Sequence, residues 1–479
     1  MKRLVVLAVM VAFILGATIA SAAQLSISGG DFRVHANYVK NPNFNKDLDE
    51  DAFNLYQRFR VSFNFVANEN LRAVTQLQFA GDGSDARWGG KKRAEPGLGR
   101  FHDVNVRQIY LQFNVPNTQA AIKAGYQWWA MPNTLGSHIF DARATALVLS
   151  TPINDMVGLT LGYARSHDAE TRLFDTRRGD FVKTQDEFDH FLAVVPVTMD
   201  GINLNPFVWY ARAGKYFGKA TTEIGLGDPV IVTTPAFTST GDERNQNIYF
   251  AGINAKIDMF DPIVIYGDFN YGSADKRTSG GKGQAGWIAD LAVAYKMDMF
   301  TPMVFALYES GESRSSGAAD KKGKIMPRIG GGTGDLNFTS FSTGGSQFGG
   351  TSWYAANNIV DGFASGATGK MAVGLKLKDI SFMDKLTHEF MFAYHQGTNH
   401  KDNLALFTSK DKAYEVTFDT KYQVYENLAA ILELGYLKPK LTSGTIGTVQ
   451  LGEETFEVDR KDLYDDASWK AAAGFRYRF

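Results

Sequence analysis

Apolar and polar residues alternate with a period of two from the end of the leader to the last residue, and this rhythm limits the fold more than any other feature. The chain closes on "SWKAAAGFRYRF", in which Trp469, Ala471, Ala473, Phe475, Tyr477 and Phe479 share one side and Ser468, Lys470, Arg476 and Arg478 the other. Successive side chains of a β-strand point to opposite faces, so the stretch predicts a strand with one apolar and one polar face. "FNLYQRFRVSFNFVA" sets Phe59, Val61, Phe63 and Phe65 against Arg58, Arg60, Ser62 and Asn64. "KAYEVTFDTKYQVY" sets Tyr414, Val416, Phe418 and Tyr422 against Glu415, Thr417, Asp419 and Lys421. "LRAVTQLQF", "RQIYLQFNV" and "AIKAGYQWW" repeat the pattern. Termini usually fray. A terminus patterned to its final residue predicts that the last strand is paired and its aromatic face covered.

The connections alternate as well. Short turns fall at 68–70, 116–118, 151–155, 199–201, 259–262, 299–302, 378–384 and 425–427. Long polar, Gly-rich stretches fall between them, at 41–52, 81–103, 130–141, 167–186, 214–245, 274–285, 312–368, 398–410 and 440–466. Short turns on one rim and long loops on the other are the layout of a transmembrane antiparallel β-barrel, with periplasmic turns and extracellular loops. The spacing predicts 16–18 strands, with 18 favoured; the first strand (32–40) and the 142–151 segment are the faintest. "KIDMFDPIVIY" from Lys256 and "KMDMFTPMVFALY" from Lys296 repeat one hairpin-and-turn design. In hydrocarbon every backbone group needs a partner, so the first and last strands must pair to close the sheet.

Composition fits this reading. Met1-Lys2-Arg3, an apolar run and a small-residue site at "ASA" predict a cleaved signal peptide over 1–22, leaving one barrel domain over 23–479. No cysteine is present, so no disulfide framework supports the exported chain. A net charge of −1 from 50 basic and 51 acidic residues lacks the basic excess of a nucleic-acid binder. Beyond the leader no apolar run is long enough for a spanning helix. The mean hydropathy is that of a soluble chain, as it is for barrels, whose two faces cancel.

Chemistry concentrates on the polar faces. Arg33, Arg58, Arg60, Arg72 and Arg107 fall on the polar faces of the first four strands and predict a basic wall at a pore constriction, which favours anions. The stretch "WWAMPNTLGSHIFDAR" carries Leu135, Ile139 and Phe140 and predicts a loop folded into the lumen, bringing His138 and Asp141 to the same constriction. Asp47, Asp49 and Asp51 alternate as in a calcium loop, yet Ala52 stands where such a loop needs glycine, so a loop-bound divalent cation such as calcium is only a weak expectation. "GKGQAG" lies between strands without the strand–turn–helix setting of a nucleotide loop. No other cofactor and no catalytic constellation is expected. The rival readings are a substrate-specific channel with an aromatic slide, for which Trp128, Trp129 and Trp209 are candidates, and a plugged barrel acting as an anchor or adhesin.

With these features in place, the chain resembles Gram-negative trimeric porins. "AYEVTFDTKYQVYENLAAILELGY" (413–436) and "FMFAYHQGTNH" (390–400) look most like the homotrimeric porins of sulfate-reducing bacteria. The resemblance implies an outer-membrane homotrimer set among lipid and lipopolysaccharide that passes small hydrophilic solutes. It implies that Phe479 is part of the signal read by the outer-membrane assembly machinery, and that the 81–103 loop latches onto a neighbouring subunit. The single clear acid of the inserted loop, Asp141, departs from the general porins and speaks against strong cation preference.

Overall fold

A computed structural model describes residues 24–42, 44–45, 51–80, 86–87, 103–131, 139–168, 172–175, 180–183, 187–215, 244–276, 283–314, 322–327, 329, 346, 348, 369–402, 407–451, 454–459, 461 and 466–479. The expected leader (1–22) lies outside them. Eighteen long antiparallel strands form one closed sheet. They are β1 (Gln24–Lys40), β2 (Asp51–Asn68), β3 (Leu71–Ala80), β4 (Asp103–Asn114), β5 (Ala121–Ala130) and β6 (Asp141–Pro152). Then come β7 (Gly158–His167), β8 (Phe188–Val194), β9 (Ile202–Ala213), β10 (Gln246–Phe260), β11 (Ile263–Ala274) and β12 (Gln284–Tyr295). The last are β13 (Thr301–Glu309), β14 (Lys370–Met383), β15 (Leu386–Gly397), β16 (Lys412–Tyr425), β17 (Leu428–Lys440) and β18 (Ser468–Arg478). The larger of the two expected strand counts is correct. The faint first strand is longer than its pattern shows, beginning at Gln24 rather than at 32.

The seam answers the question posed by the terminal strand. β18 pairs with β17 on one side and with β1 on the other, from Asp31 opposite Arg478 to Lys40 opposite Trp469. The main chain of Phe479 continues the ladder: Gly30 N–H donates to its carbonyl at 2.7 Å, and its own N–H donates to the Gly30 carbonyl at 3.2 Å. Its ring lies over Gly30, where any Cβ would collide with it, and stacks near Phe59 at 6.2 Å and Tyr477 at 5.2 Å. Glycine at position 30 thus leaves room for a neighbour's ring, and its backbone conformation does not itself call for glycine.

The outer face carries the alternate apolar residues, and most of the large ones are open to the surroundings, among them Phe32, Leu147, Val208, Leu291, Val304 and Phe475. No helix of the described residues is long and apolar enough to cross a membrane; the strands do so instead. The two hairpins of the internal repeat lie side by side, with turns after β10 and after β12. Several stretches expected as plain loop hold further strand. Ala86–Arg87 pairs with β2, and Arg172–Asp175 and Thr445–Leu451 form hairpins with Asp180–Lys183 and Glu454–Asp459; Val197–Met199, leading into the expected turn at 199–201, pairs with β9.

The inner face is not polar throughout. From β8 to β13 it carries Phe188, Leu192, Phe207, Trp209, Ile248, Phe250, Ile288, Phe305 and Leu307, all buried in one apolar cluster. Met326 and Ile329, from the long segment between β13 and β14, complete that cluster. These strands are largely apolar on both faces because protein covers one and lipid the other, with His190, Asn254, Asp268 and Asp290 buried among the inner side chains.

Candidate pore lining

The basic wall forms on β18, β1, β2, β3 and β4. Antiparallel register sets Arg33 opposite both Arg58 and Arg476, and Asp31 opposite both Arg60 and Arg478. Neighbouring strands lie about 4.8 Å apart, so these guanidiniums crowd one stretch of wall. Asp31 organises them. It accepts from Arg476 Nε at 2.8 Å, while Arg58 Nη2 stands 3.5 Å and Arg478 Nε 3.8 Å from its carboxylate. Gln78 does the same on β3, accepting from Arg60 Nε at 2.6 Å and Arg107 Nη1 at 2.7 Å. Arg33, Arg58 and Arg107 are buried, so they are positioned by the wall and not free in bulk water.

Of the five expected arginines, the structure brings together Arg33, Arg58, Arg60 and Arg107. Arg72 stands apart at the turn end of β3, exposed, donating to Gln112 at 3.0 Å. Lys123 on β5 faces Gln112 in register, which extends the basic strip to a second place. Asp31, Arg476 and Arg478 complete the cluster, and sequence reasoning missed them as site residues. All three lie on polar faces already legible by alternation; what closure of the two end strands alone does not fix is the register that sets Arg476 opposite Arg33 and Arg478 opposite Asp31.

Acidic residues form the adjoining wall. Glu389 on β15, Asp419 on β16 and Glu433 on β17 face one another in successive pairs. Lysines flank the row: Lys376 Nζ reaches Glu389 at 2.6 Å, and Lys470 Nζ reaches Glu433 at 2.7 Å. Glu433 and Lys470 are fully buried, because the segment between β13 and β14 reaches this wall too. Ser346 Oγ donates to Glu433 at 2.9 Å and Phe348 N–H at 3.2 Å, and the Phe348 ring stacks on His35 at 4.4 Å. Met326 meets the wall at β11 and β12, whereas Ser346 and Phe348 meet it at β17, β18 and β1.

The segment after β5 also turns inward at its described ends. Met131, Ile139 and Phe140 are buried beside Trp129, Trp209 and His190, with the two indoles stacked at 5.0 Å. Thus Trp129 and Trp209 face inward, whereas Trp128 is exposed on the outer face under the Arg143 guanidinium. His138 lies outside the described residues, as does the side chain of Asp141, whose main chain opens β6 opposite Ala130. Asp47 and Asp49 lie outside them too. Asp51 accepts from the Tyr38 hydroxyl at 2.6 Å, and no metal-ligating group of three or more residues occurs among the described residues. Below Trp129 a recess of about 460 Å³ is lined by Lys123, Gln112, Gln127, Ser150, Leu192 and Asn205, among others.

No family model and no curated protein matches the sequence. Solved structures do match it in shape. The outer membrane protein OpdK of Pseudomonas aeruginosa aligns over 95% of this chain and 98% of its own, with a TM-score of 0.51 and 10% identity. OpdO of the same organism aligns over 95% and 96%, with a TM-score of 0.51 and 11% identity. OccAB4 of Acinetobacter baumannii aligns over 96% and 100%, with a TM-score of 0.50 and 11% identity. The likeness to porins of sulfate-reducing bacteria is not among these matches. What the closed sheet, its apolar belt and these matches establish together is an 18-stranded antiparallel barrel of the kind found in Gram-negative outer membranes, and the chain lies in such a membrane.

Proposed function

We propose that the chain is a water-filled outer-membrane channel for passive diffusion of small hydrophilic solutes, and that its lumen favours anions. The inner faces of β18 and β1 to β4 carry Arg33, Arg58, Arg60, Arg72, Arg107, Arg476 and Arg478 around Asp31, while Lys470 is paired with Glu433. A permeating anion exchanges part of its hydration for the accessible donors, Arg60, Arg72 and Arg478, in a field to which the buried arginines add, whereas a cation meets repulsion there. The reading is of a channel and not an enzyme, working as a homotrimer among lipid and lipopolysaccharide, with Phe479 read by the assembly machinery. Planar-bilayer recordings in a salt gradient test the selectivity. The wild-type current should reverse toward the anion potential, and Arg58→Ala with Arg60→Ala should move the reversal toward zero. Reversal near the cation potential in the wild type would falsify the anion reading.

The recess below Trp129 favours a second reading, a channel specific for small organic acids. An indole and aliphatic side chains adjoin Lys123 and Gln112 there, a combination that suits a carboxylate on an apolar body. One structure of OpdK, 10% identical with a TM-score of 0.50, is of its complex with vanillate. Aromatic carboxylates should then interrupt the current at concentrations where acetate does not, and Trp129→Ala should abolish the difference. Equal effects of both acids would leave only the unspecific channel.

A further inference from the structure

The outer face holds a cationic strip in which two lysines have no counter-charge among the described residues. On the lipid-facing side of β15 to β18 and β1, the apolar residues give way toward the long-loop rim to Tyr394, Tyr414, Tyr436, Trp469 and Tyr38. Adjacent rings touch: Tyr394 and Tyr414 lie 5.6 Å apart, Tyr436 and Trp469 4.4 Å. Such a girdle marks the depth of the lipid headgroups. Immediately beyond it stand Lys412, Lys438, Lys440 and Lys40. Lys412 on β16 and Lys440 on β17 are direct register partners, and both are exposed. Directly opposed like charges on neighbouring strands destabilise a sheet. Neither lysine has an ion pair among the described residues. The nearby Asp466 is taken by Lys438 at 3.1 Å, and Lys440 Nζ rests 5.5 Å above the Tyr414 ring.

Elsewhere on the same rim the outward basic charge is neutralised internally. Arg165 on β7 is held by Asp189 at 2.7 Å and Asp168 at 2.8 Å. The lysine pair is therefore a local arrangement and not a general property of the rim.

We propose that Lys412 and Lys440 together bind one phosphate of a phosphorylated glycolipid of the outer leaflet, whose acyl chains lie along Tyr414, Phe418, Leu434 and Tyr436. Directly paired residues have Cβ atoms about 5 Å apart, so both ammonium groups can reach one phosphate. Lys40, two strands from Lys440, adds charge on the flank. The site is on the far side of the wall from the lumen and is independent of what the lumen conducts.

Native mass spectrometry of the full chain in neutral detergent tests the site, with bisphosphorylated lipid A as the probe. The wild type should retain one lipid A molecule more than the Lys412→Gln/Lys440→Gln double variant. Its affinity should fall about fivefold for each lysine removed, the attraction typical of one cation at an anionic lipid surface. Lys412→Arg/Lys440→Arg should keep the binding, whereas dephosphorylated lipid A should bind the wild type as weakly as lipid A binds the Gln variant. In lipid-free detergent the Gln variant should unfold at a temperature no lower than the wild type, because the like-charge pair is relieved. Equal retention by the Gln variant, equal binding of dephosphorylated lipid A, or equally tight binding of phosphatidylglycerol would overturn the proposal. So would a change in subunits per particle in the Gln variant, which would assign the face to a second copy of the chain.

Discussion

Two side-chain contacts at residue scale are open to measurement. Phe479 contributes a ring that fills the space above Gly30 and stacks near Phe59. In lipid there is little hydrophobic gain on the outer face, so the contribution is packing, about 1 kcal/mol for such an aromatic contact. Phe479→Ala should lower barrel stability in detergent by that amount. Gly30→Ala should also destabilise, because its new methyl meets the ring, yet it should cost much less in the Phe479→Ala background. Equal costs in both backgrounds would show that ring and glycine do not interact. The Glu433–Lys470 pair behaves differently because both groups are fully buried. Lys470→Met strands a carboxylate, at a cost of about 3–5 kcal/mol, whereas removing both charges with Glu433→Gln and Lys470→Met should restore much of the loss. Urea unfolding in a fixed detergent reads all four combinations.

The segment between β13 and β14 governs the lumen at the scale of elements. Met326 and Ile329 are part of the apolar inner cluster, while Ser346 and Phe348 are held by Glu433 and His35 on another part of the wall. Releasing the second attachment should widen the aqueous path. Phe348→Ala with Ser346→Ala is expected to raise single-channel conductance and open-channel noise; unchanged traces would show that the segment does not limit the current. This element is also where sequence reasoning fell short. Alternation, with the spacing of the turns, points to 16–18 strands, because each strand places one face against lipid, and lipid tolerates only apolar side chains. It also pointed to the inward turn after β5, through Ile139 and Phe140. It could not point to the segment before β14, whose Gly- and Ser-rich composition looks like solvated loop and whose anchors are single residues. A second clue was available. "NPFVWYARA" and "IADLAVAY" are, apart from Asn205, Arg212 and Asp290, apolar on both faces, and a strand wet on one side has no cause to be. Arg107, expected in the basic wall, faces Gln78 there, but for a reason alternation does not carry: counted strictly from Ile109 and Leu111 it would face lipid, and a bulge opposite Gln76 and Leu77 turns it inward. Irregular register is a property of two strands together and leaves no trace in either alone.

For the whole molecule, closure decides whether the fold exists. β18 pairs ten residues with β1 and ten with β17. Without it both neighbours would present bare ladders to hydrocarbon, where each unsatisfied backbone group costs several kcal/mol. A handful of such groups exceeds the roughly 5–15 kcal/mol that separates folded from unfolded states in ordinary proteins. A chain ending at Ala467 should therefore give no barrel at all, rather than a smaller or weaker one. Electrophoresis of boiled and unboiled samples distinguishes the outcomes, since a closed barrel resists detergent until heated and then migrates differently. The full chain should show two mobilities and the truncated chain one. A chain that lacks only Phe479 keeps most of both ladders and should still show two. If the chain ending at Ala467 also shifted on boiling, β1 and β17 would have to pair with each other, and the arginine wall of that barrel would lack Arg476 and Arg478 beside Arg33 and Asp31.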